Sequence, residues 1–196
     1  MNNLQNLESA AARVSAALRK LSTAASNHLG SDCYMHAQLG RVLLADLGVQ
    51  ASLAVGFAAW RIGDGNGDVI SHTPYAQVYL PADGKGFPYH AWLDYAGFVV
   101  DFTTYQLVHK ARKLDAMDGR HTTVAWCPEF LLLPKRSIRS YIEVVNAPHA
   151  GVAYYETRPE LGLLLQAQSS VDSQDLLAAR MLLANPGMTV IGPNDI

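Results

Sequence analysis

The chain has 196 residues, of which 49% are hydrophobic and 16% are charged, and its formal net charge at pH 7 is -2. This length and composition suit one compact domain with a sizeable core, and they exclude an intrinsically disordered chain. The near-neutral charge argues against a nucleic-acid binder or a polybasic membrane anchor, and no apolar run approaches the roughly 20 residues of a membrane-spanning helix.

The overall pattern predicts one α+β domain over residues 1–196. It divides into N-terminal helices over 1–47, a sheet over 49–103 and a mixed C-terminal part over 104–196. No basic segment followed by an apolar core begins the chain, so the sequence predicts no secretory signal and a cytoplasmic location. The low charge and the apolar first helix favour an additional contact between copies of the chain, a homo-oligomer.

Two helices are predicted before the sheet. Apolar residues three and four positions apart predict the first, from Leu4 to Leu21, and Gly30 suits a left-handed turn after it. Ser31 and Asp32 then predict the N-cap of a second helix, from about Cys33 to Leu47. This second helix is apolar around much of its circumference, which predicts that it is buried.

Alternation of apolar and polar residues then predicts strands separated by turn-forming residues. The predicted strands are residues 49–62, 75–80, 90–95, 98–102, 122–126, 130–133 and 153–157. Ala96-Gly97 predicts a two-residue hairpin between residues 90–95 and 98–102. Further helices are predicted over Tyr105–Met117 and Ser173–Ala184.

Cys33 is the most informative residue because it falls in the first turn of the predicted second helix. Unpaired backbone N–H groups and the helix dipole meet at such a position, and both favour a thiolate over a thiol. The same N–H groups can stabilise an oxyanion during acyl transfer. A buried, unreactive cysteine is the alternative interpretation. Cys127 has no such surroundings, and two cysteines are too few for a disulfide framework.

The register of the hairpin relates His90 to Asp101. With Ala96-Gly97 as the loop, Asp101 opposes Trp92, which lies two residues along from His90. His90 and Asp101 then face one side of the sheet as diagonal neighbours, roughly 7–8 Å apart at Cα. An acidic side chain on a largely apolar strand needs a partner, and His90 is the natural one. Two ordinary polar residues on a solvated face are the alternative.

A thiol at a helix start, followed by His and Asp on adjacent antiparallel strands, has the order of a Cys–His–Asp triad. The Cys33 helix, the strand sequence His-Ala-Trp-Leu-Asp over 90–94 and the sequence Val-Asp-Phe-Thr over 100–103 resemble the transglutaminase-like core of the papain-like cysteine protease superfamily. Bacterial members without assigned function and the proteases that process lasso peptides are similar in pattern. The resemblance covers about residues 30–105.

The resemblance implies a papain-like α+β fold in which a nucleophile helix packs on an antiparallel sheet. It implies that Cys33 is the nucleophile, that His90 is the general base and acid, and that Asp101 orients His90. Two departures argue against protein cross-linking: Phe102 stands where the family often has Pro, and Tyr34 follows the nucleophile where transglutaminases proper have a nearby Trp.

The activity implied is acyl transfer through a thioester on Cys33, with hydrolysis of an amide or peptide bond as the favoured outcome. An acyltransferase of the arylamine N-acetyltransferase or transglutaminase type is one alternative. A catalytically inactive binding domain that retains the fold is another. The expected substrate is a peptide or a small amide, and no cofactor, nucleic acid or membrane partner is expected.

Two more candidates share the face of His90 by strand parity. Asp94 competes with Asp101 as the partner of His90, and Asp101 is favoured because the family pattern puts the acid on the following strand. Trp92 is a candidate for the wall of the cleft. Packing in the core is the alternative role for Trp92.

Two candidates lie outside that strand. Gln77, on the predicted strand 75–80, could donate its side-chain amide to an oxyanion. His36, three residues after Cys33 on the helix, could support the thiol. Ordinary structural roles are the alternative for both. His121 and Cys127 match no metal-binding spacing, so the sequence predicts no metal site.

Overall fold

The computed structural model describes residues 2–25, 29–76, 86–166 and 171–195. In these ranges the helices are α1 Asn2–Ala25, α2 Cys33–Asp46, α3 Leu107–Asp118, α4 Tyr141–Val145, α5 Pro159–Gln166 and α6 Ser173–Ala184. The strands are β1 Ser52–Arg61, β2 Val69–His72, β3 His90–Tyr95, β4 Phe98–Asp101, β5 Leu131–Pro134 and β6 Ala153–Thr157. The chain is therefore α+β, as the sequence predicts.

The strands form an antiparallel sheet in the order β2-β1-β3-β4-β5, and β6 also pairs with β1. On β1, residues 52–56 pair with β3, residues 58–61 pair with β2 and residues 56–60 pair with β6. The residues of β1 that pair with β6 overlap those that pair with β2 and β3, so β6 must lie on the opposite edge of β1. β3 and β2 share the other edge, one at each end of β1. β2 and β3 therefore diverge from a common neighbour.

The hairpin between β3 and β4 has the predicted loop. Ala96 and Gly97 both have positive φ angles, 46° and 84°. This is the backbone conformation of a tight two-residue hairpin loop. Leu93 pairs with Val100, so Asp101 is the next position along β4 and lies level with Trp92. The predicted register between these strands is confirmed.

Apolar side chains cover both faces of the sheet. On one face, a buried cluster joins α1, α2 and α6 to alternate residues of β1 and β3, such as Val55 and Ala91. On the other face, Trp60 and Trp92 pack with residues of α3. α2 lies against β3 and β1, so the helix that begins at Cys33 is fixed to the strand that begins at His90.

The contact between Gly40 and Phe102 sets how closely α2 approaches the end of β4. Phe102 is almost fully buried, at 2% exposure, and an ideal Cβ on Gly40 would lie 2.5 Å from two of its ring carbons. A glycine at this point of α2 therefore leaves the space that the Phe102 ring fills. Phe102 directly follows Asp101, so this packing also fixes the backbone that carries Asp101.

Some predicted strands differ from the structure. Tyr75 and Ala76 lie in a turn, and the rest of the predicted strand 75–80, including Gln77, lies outside the described residues. Residues 122–126 are not a strand, because the N–H groups of Ala125 and Trp126 both donate to the carbonyl of Ile62, which breaks the alternation of a strand ladder. β2 and the short helices α4 and α5 are additional elements. No helix in the described ranges is both long enough and apolar enough to cross a membrane.

Candidate active site

Cys33 is the first residue of α2, and its side chain is 9% exposed. Asp32 occupies the N-cap position, as predicted, although its side chain makes no capping hydrogen bond to the first turn. An N–H in the first turn of a helix has no acceptor within the helix, so α2 itself does not use the Cys33 amide.

The loop before Cys33 is tied to the start of α3. Gly30 has a φ of +83°, and its N–H donates to Oε1 of Gln106 at 2.7 Å. Nε2 of Gln106 donates in turn to the Tyr105 hydroxyl at 2.9 Å. The positive φ favours glycine at position 30, so this residue and its amide partner direct the chain into α2.

His90 and Asp101 form a buried hydrogen-bonded pair. Nε2 of His90 donates to Oδ2 of Asp101 at 2.8 Å, and the two residues are 2% and 0% exposed. The other ring nitrogen of His90, Nδ1, is buried and has no hydrogen-bond partner within the described part of the chain. The structure therefore brings together the two residues that the hairpin register predicts, and Nδ1 is the nitrogen left to act on another group.

Three further donors hold Asp101 in place. Its Oδ1 accepts hydrogen bonds from the backbone N–H and the hydroxyl of Thr103, at 2.8 and 2.7 Å. Its Oδ2 also accepts from the Tyr155 hydroxyl at 2.8 Å. The Tyr155 oxygen accepts a hydrogen bond from Nε1 of Trp60 at 2.8 Å. These donors favour the ionised carboxylate and restrict its rotation.

The buried pair shifts both pKa values. Burial alone would lower the pKa of His90, but the charge and hydrogen bond of Asp101 and the nearby Cys33 outweigh it and raise the pKa to about 10. For Asp101, burial would raise the pKa, but His90 and the Thr103 donors lower it below its ordinary value. The stable form at neutral pH is therefore an imidazolium paired with a carboxylate.

Cys33 and His90 line the same cavity, which has a volume of about 180 Å³ and is called the inner cavity below. Trp60, His72 and Tyr89 are among its other lining residues. The Cys33 thiol also contributes to the raised pKa of His90, which places the two groups in electrostatic contact. Cys33, His90 and Asp101 thus form one connected group at the inner cavity.

His72 is a cavity residue that the sequence analysis did not single out. Its ring stacks on that of His90 with 5.6 Å between centroids. Burial, followed by the charges of His90 and Lys110, lowers the pKa of His72 well below its ordinary value, so its ring stays neutral beside the imidazolium. The sequence gives no signal for His72, because β2 is only four residues long and pairs with the far end of β1.

Asp94 is engaged by other residues. Its Oδ1 accepts from Nε1 of Trp92 at 3.1 Å, and its Oδ2 accepts from Nζ of Lys135 at 2.7 Å. Trp92 stacks on the His90 ring with 6.2 Å between centroids, but the tryptophan that lines the inner cavity is Trp60. The carboxylate that bonds His90 is that of Asp101, which is the residue favoured over Asp94 from the sequence.

His36 connects α2 with the segment that precedes α3. Its Nε2 lies 3.0 Å from the Tyr105 hydroxyl, and its Nδ1 lies 3.2 Å from the carbonyl oxygen of Asp32. Tyr105 is also hydrogen-bonded to Ser22 of α1. These contacts give His36 a structural role, and its support of the thiol stays a prediction. Gln77 lies outside the described residues, so its role as a donor also stays a prediction.

Thr103 and Tyr155 are site residues that sequence reasoning missed. Thr103 had a local signal, because Asp-x-Thr places a hydroxyl and an N–H two residues after the carboxylate. Tyr155 had none, because it comes from β6, 54 positions along the chain from Asp101. Among the described residues, no three His, Cys, Asp or Glu side chains come together in a way that could hold a metal ion.

Comparisons with known proteins give a likeness of fold. No protein-family model matches the chain, and no curated protein matches it. A solved structure described as "The crystal structure of genomics APC5867" is similar, with a TM-score of 0.62 over 93% of this chain and 82% of that chain. The two sequences are 16% identical, so the similarity concerns the fold alone.

Proposed function

We propose that the protein is a cysteine-dependent acyl-transfer enzyme that hydrolyses an amide or peptide bond through a thioester on Cys33. The observation that carries this proposal is the His90–Asp101 pair at 2.8 Å, with Nδ1 of His90 unbonded among the described residues and a thiol at a helix start in the same cavity. The arrangement supplies a nucleophile, a base and a group that orients the base, which are the parts that nucleophilic catalysis requires.

A papain-like fold of the transglutaminase type belongs to the same proposal. The support is the order of the parts: a helix that begins at Cys33, a strand that begins at His90 and a neighbouring antiparallel strand that ends at Asp101. The helix packs on the strand that carries the histidine. Phe102 stands where Pro is frequent in that family, and Gly40 of α2 leaves space for its ring.

Before the first half of the reaction, Nδ1 of His90 holds the proton given up by the Cys33 thiol, which fits the imidazolium described above, and the sulfur is a thiolate. The thiolate sulfur attacks the carbonyl carbon of the substrate, and the C=O electron pair moves to oxygen to give a tetrahedral oxyanion. The N–H of Cys33 at the helix start is placed to stabilise this oxyanion. When the C–N bond breaks, the imidazolium returns the proton to the departing amine, and a thioester remains on Cys33.

In the second half, a water molecule attacks the thioester carbon while Nδ1 of His90 takes one of its protons. The C–S bond breaks, the carboxylic acid leaves, and the thiolate of Cys33 and the imidazolium of His90 are restored. Throughout, Asp101 accepts the hydrogen bond from Nε2, so the other nitrogen is the one that exchanges protons with the reacting groups.

The direct test is the alkylation rate of Cys33 by iodoacetamide, measured by intact-protein mass spectrometry between about pH 5 and 9. Cys127 is exposed, so the measurement uses a Cys127→Ser background that leaves one thiol. We expect Cys33 to react faster than a small free thiol near neutral pH, and His90→Ala to remove that excess. Cys33→Ala is the control for labelling at other residues.

A rate for Cys33 equal to that of a free thiol and unchanged by His90→Ala would contradict the proposal and favour a binding domain. Hydrolysis and transfer are then distinguished with acyl and peptide esters, thioesters and amides as substrates. Release of the free acid that depends on Cys33 supports hydrolysis. Capture of the acyl group by an added amine, in preference to water, would make the protein an acyltransferase.

A further inference from the structure

A larger cavity adjoins the inner cavity. It has a volume of about 600 Å³ and is called the outer cavity here. The two cavities are adjacent, because both are lined by Ser31, His72, Phe87, Pro88 and Lys110. A substrate that reaches Cys33 with its acyl group can therefore extend into the outer cavity.

One face of α3 forms part of the wall of the outer cavity and supplies both apolar and cationic side chains. Lys110, Lys113, Leu114 and Met117 follow the spacing i, i+3, i+4 and i+7, so they share a face of the helix, and all four line the outer cavity. Arg120 lines it as well and forms an ion pair with Asp118. The cavity is thus apolar along part of its wall and cationic along α3.

The charged groups that the described residues bring to the two cavities are cationic, apart from the proposed nucleophile and histidines. No Asp or Glu is among the described residues that line either cavity. Within the described ranges, the side chains of Lys110 and Lys113 form no ion pair and no hydrogen bond. Burial, followed by repulsion from Lys113, lowers the pKa of Lys110. Among the described residues, Cys33 is the only group that opposes this lowering, and no carboxylate pairs with either ammonium group. An anion bound between the two would relieve both the burial and the repulsion.

We propose that the substrate which acylates Cys33 carries an anionic group, a carboxylate or a phosphate, and that Lys110 and Lys113 bind this group in the outer cavity. The inference rests on the proposed function, since it concerns the substrate of the same thiol. The anionic group binds a few bonds from the scissile carbonyl, while the apolar residues Leu114 and Met117 contact the carbon atoms between them.

The test uses reagents with one reactive group and different charges. N-iodoacetyl-β-alanine carries a carboxylate, N-iodoacetyl-β-alaninamide is its neutral counterpart, and N-iodoacetyl-O-phosphoethanolamine carries a phosphate. The alkylation rate of Cys33 by each anionic reagent is divided by the rate with the neutral one in the Cys127→Ser protein. The same ratio for a small free thiol is the reference.

We expect the ratio for Cys33 to exceed that of the free thiol by about ten-fold at low ionic strength, and to fall as salt is added. Lys110→Met keeps most of the side-chain stem and removes the charge, and it should lower the ratio about five-fold. Lys113→Met should lower it less, and Lys110→Arg should retain it. A larger ratio for the β-alanine reagent identifies the bound group as a carboxylate, and a larger ratio for the phosphoethanolamine reagent identifies it as a phosphate.

Arg112→Met is the matched control. Arg112 is an exposed cation on the same helix that lines neither cavity, so its loss changes the net charge equally and should leave the ratio unchanged. Equal ratios for Cys33 and the free thiol would overturn the proposal, as would an equal effect of Arg112→Met and Lys110→Met. The neutral reagent alone tests the activation of Cys33, so the proposed function and the anion site fail separately.

Discussion

Replacing Asp101 with Asn is expected to reverse which nitrogen of His90 carries the proton. Oδ1 of Asp101 accepts from the backbone N–H of Thr103, which can only donate, so the amide oxygen of the new side chain must take this position. Its NH₂ group then occupies the position of Oδ2 and donates to Nε2 of His90. Nδ1 consequently carries the hydrogen in the neutral ring and cannot accept a proton from Cys33.

The size of the effect follows from the pKa of His90. Burial opposes the charged form of His90, and Asp101 makes the largest opposing contribution, so the pKa of His90 falls when the carboxylate is removed. The positive charge of His90, which in the proposed mechanism favours a thiolate beside it, is then lost at neutral pH. A thiol with an ordinary pKa is only about 3% ionised at pH 7, so we expect the alkylation rate of Cys33 to fall by about 30-fold.

The assay is iodoacetamide alkylation of the single-thiol protein at pH 7, with circular dichroism to verify that the variant is folded. Asp94→Asn is the matched control, because Asp94 bonds Trp92 and Lys135 and should leave the rate within about two-fold of wild type. A folded Asp101→Asn protein that reacts at the wild-type rate would refute the reasoning. So would an NMR spectrum in which Nε2 of His90 still carries the hydrogen in the neutral ring.

Three further predictions concern stability. Gly40→Ala should lower the free energy of unfolding by about 1–2 kcal/mol in urea denaturation, because the new methyl group overlaps the Phe102 ring and this outweighs the gain in helix propensity. Tyr155→Phe should lower it by about 2–3 kcal/mol, because Asp101 loses a buried charged hydrogen bond. The pKa of His90 is raised from 6.5 to about 10, so its stabilising contribution is complete below about pH 6.5 and is lost as the pH rises through 10. Urea denaturation at a series of pH values should show this decline.

Each of these has a control within the chain. Gly162→Ala places its methyl group 3.8 Å from Val55, so it should stabilise the protein or leave it unchanged, and an equal loss in both glycine variants would contradict the packing argument. Tyr154→Phe removes a hydroxyl that bonds Glu156 near the surface and should cost less than Tyr155→Phe. Asp101→Asn should flatten the decline in stability between about pH 6.5 and 10.

Local patterns were sufficient to predict the start of α2 and the hairpin of β3 and β4. The turn residues Ala96-Gly97 fix the register of adjacent strands, and the register fixes the faces of His90 and Asp101. Ser31 and Asp32 predicted the helix start at Cys33, and Asp32 does occupy the N-cap position. These parts of the candidate site depend on residues that are close together in the chain, so they could be predicted from the sequence alone.

The remaining site residues depend on distant pairing. Tyr155 reaches Asp101 because β6 pairs with the edge of β1 that β3 leaves open. His72 reaches the inner cavity because β2 pairs with the other end of β1. Neither pairing joins strands that are linked by a tight turn, so no local sequence pattern predicts it. Lys110 lies on a helix that was predicted, but its position at two cavities depends on how α3 packs on the sheet.

Because β3 and β2 pair with separate parts of one edge of β1, the position of His90 and the lining of the cavities depend on different segments of the chain. β3 pairs with residues 52–56 of β1 and β2 pairs with residues 58–61, so the register that places His90 opposite Gly56 is formed by β1 and β3 themselves. Phe87 and Pro88, at the end of this connection, line both cavities. In the proposed enzyme, substitutions here would change which acyl groups fit while Cys33, His90 and Asp101 keep their positions. Substrate preference could then change without a change in the reacting groups.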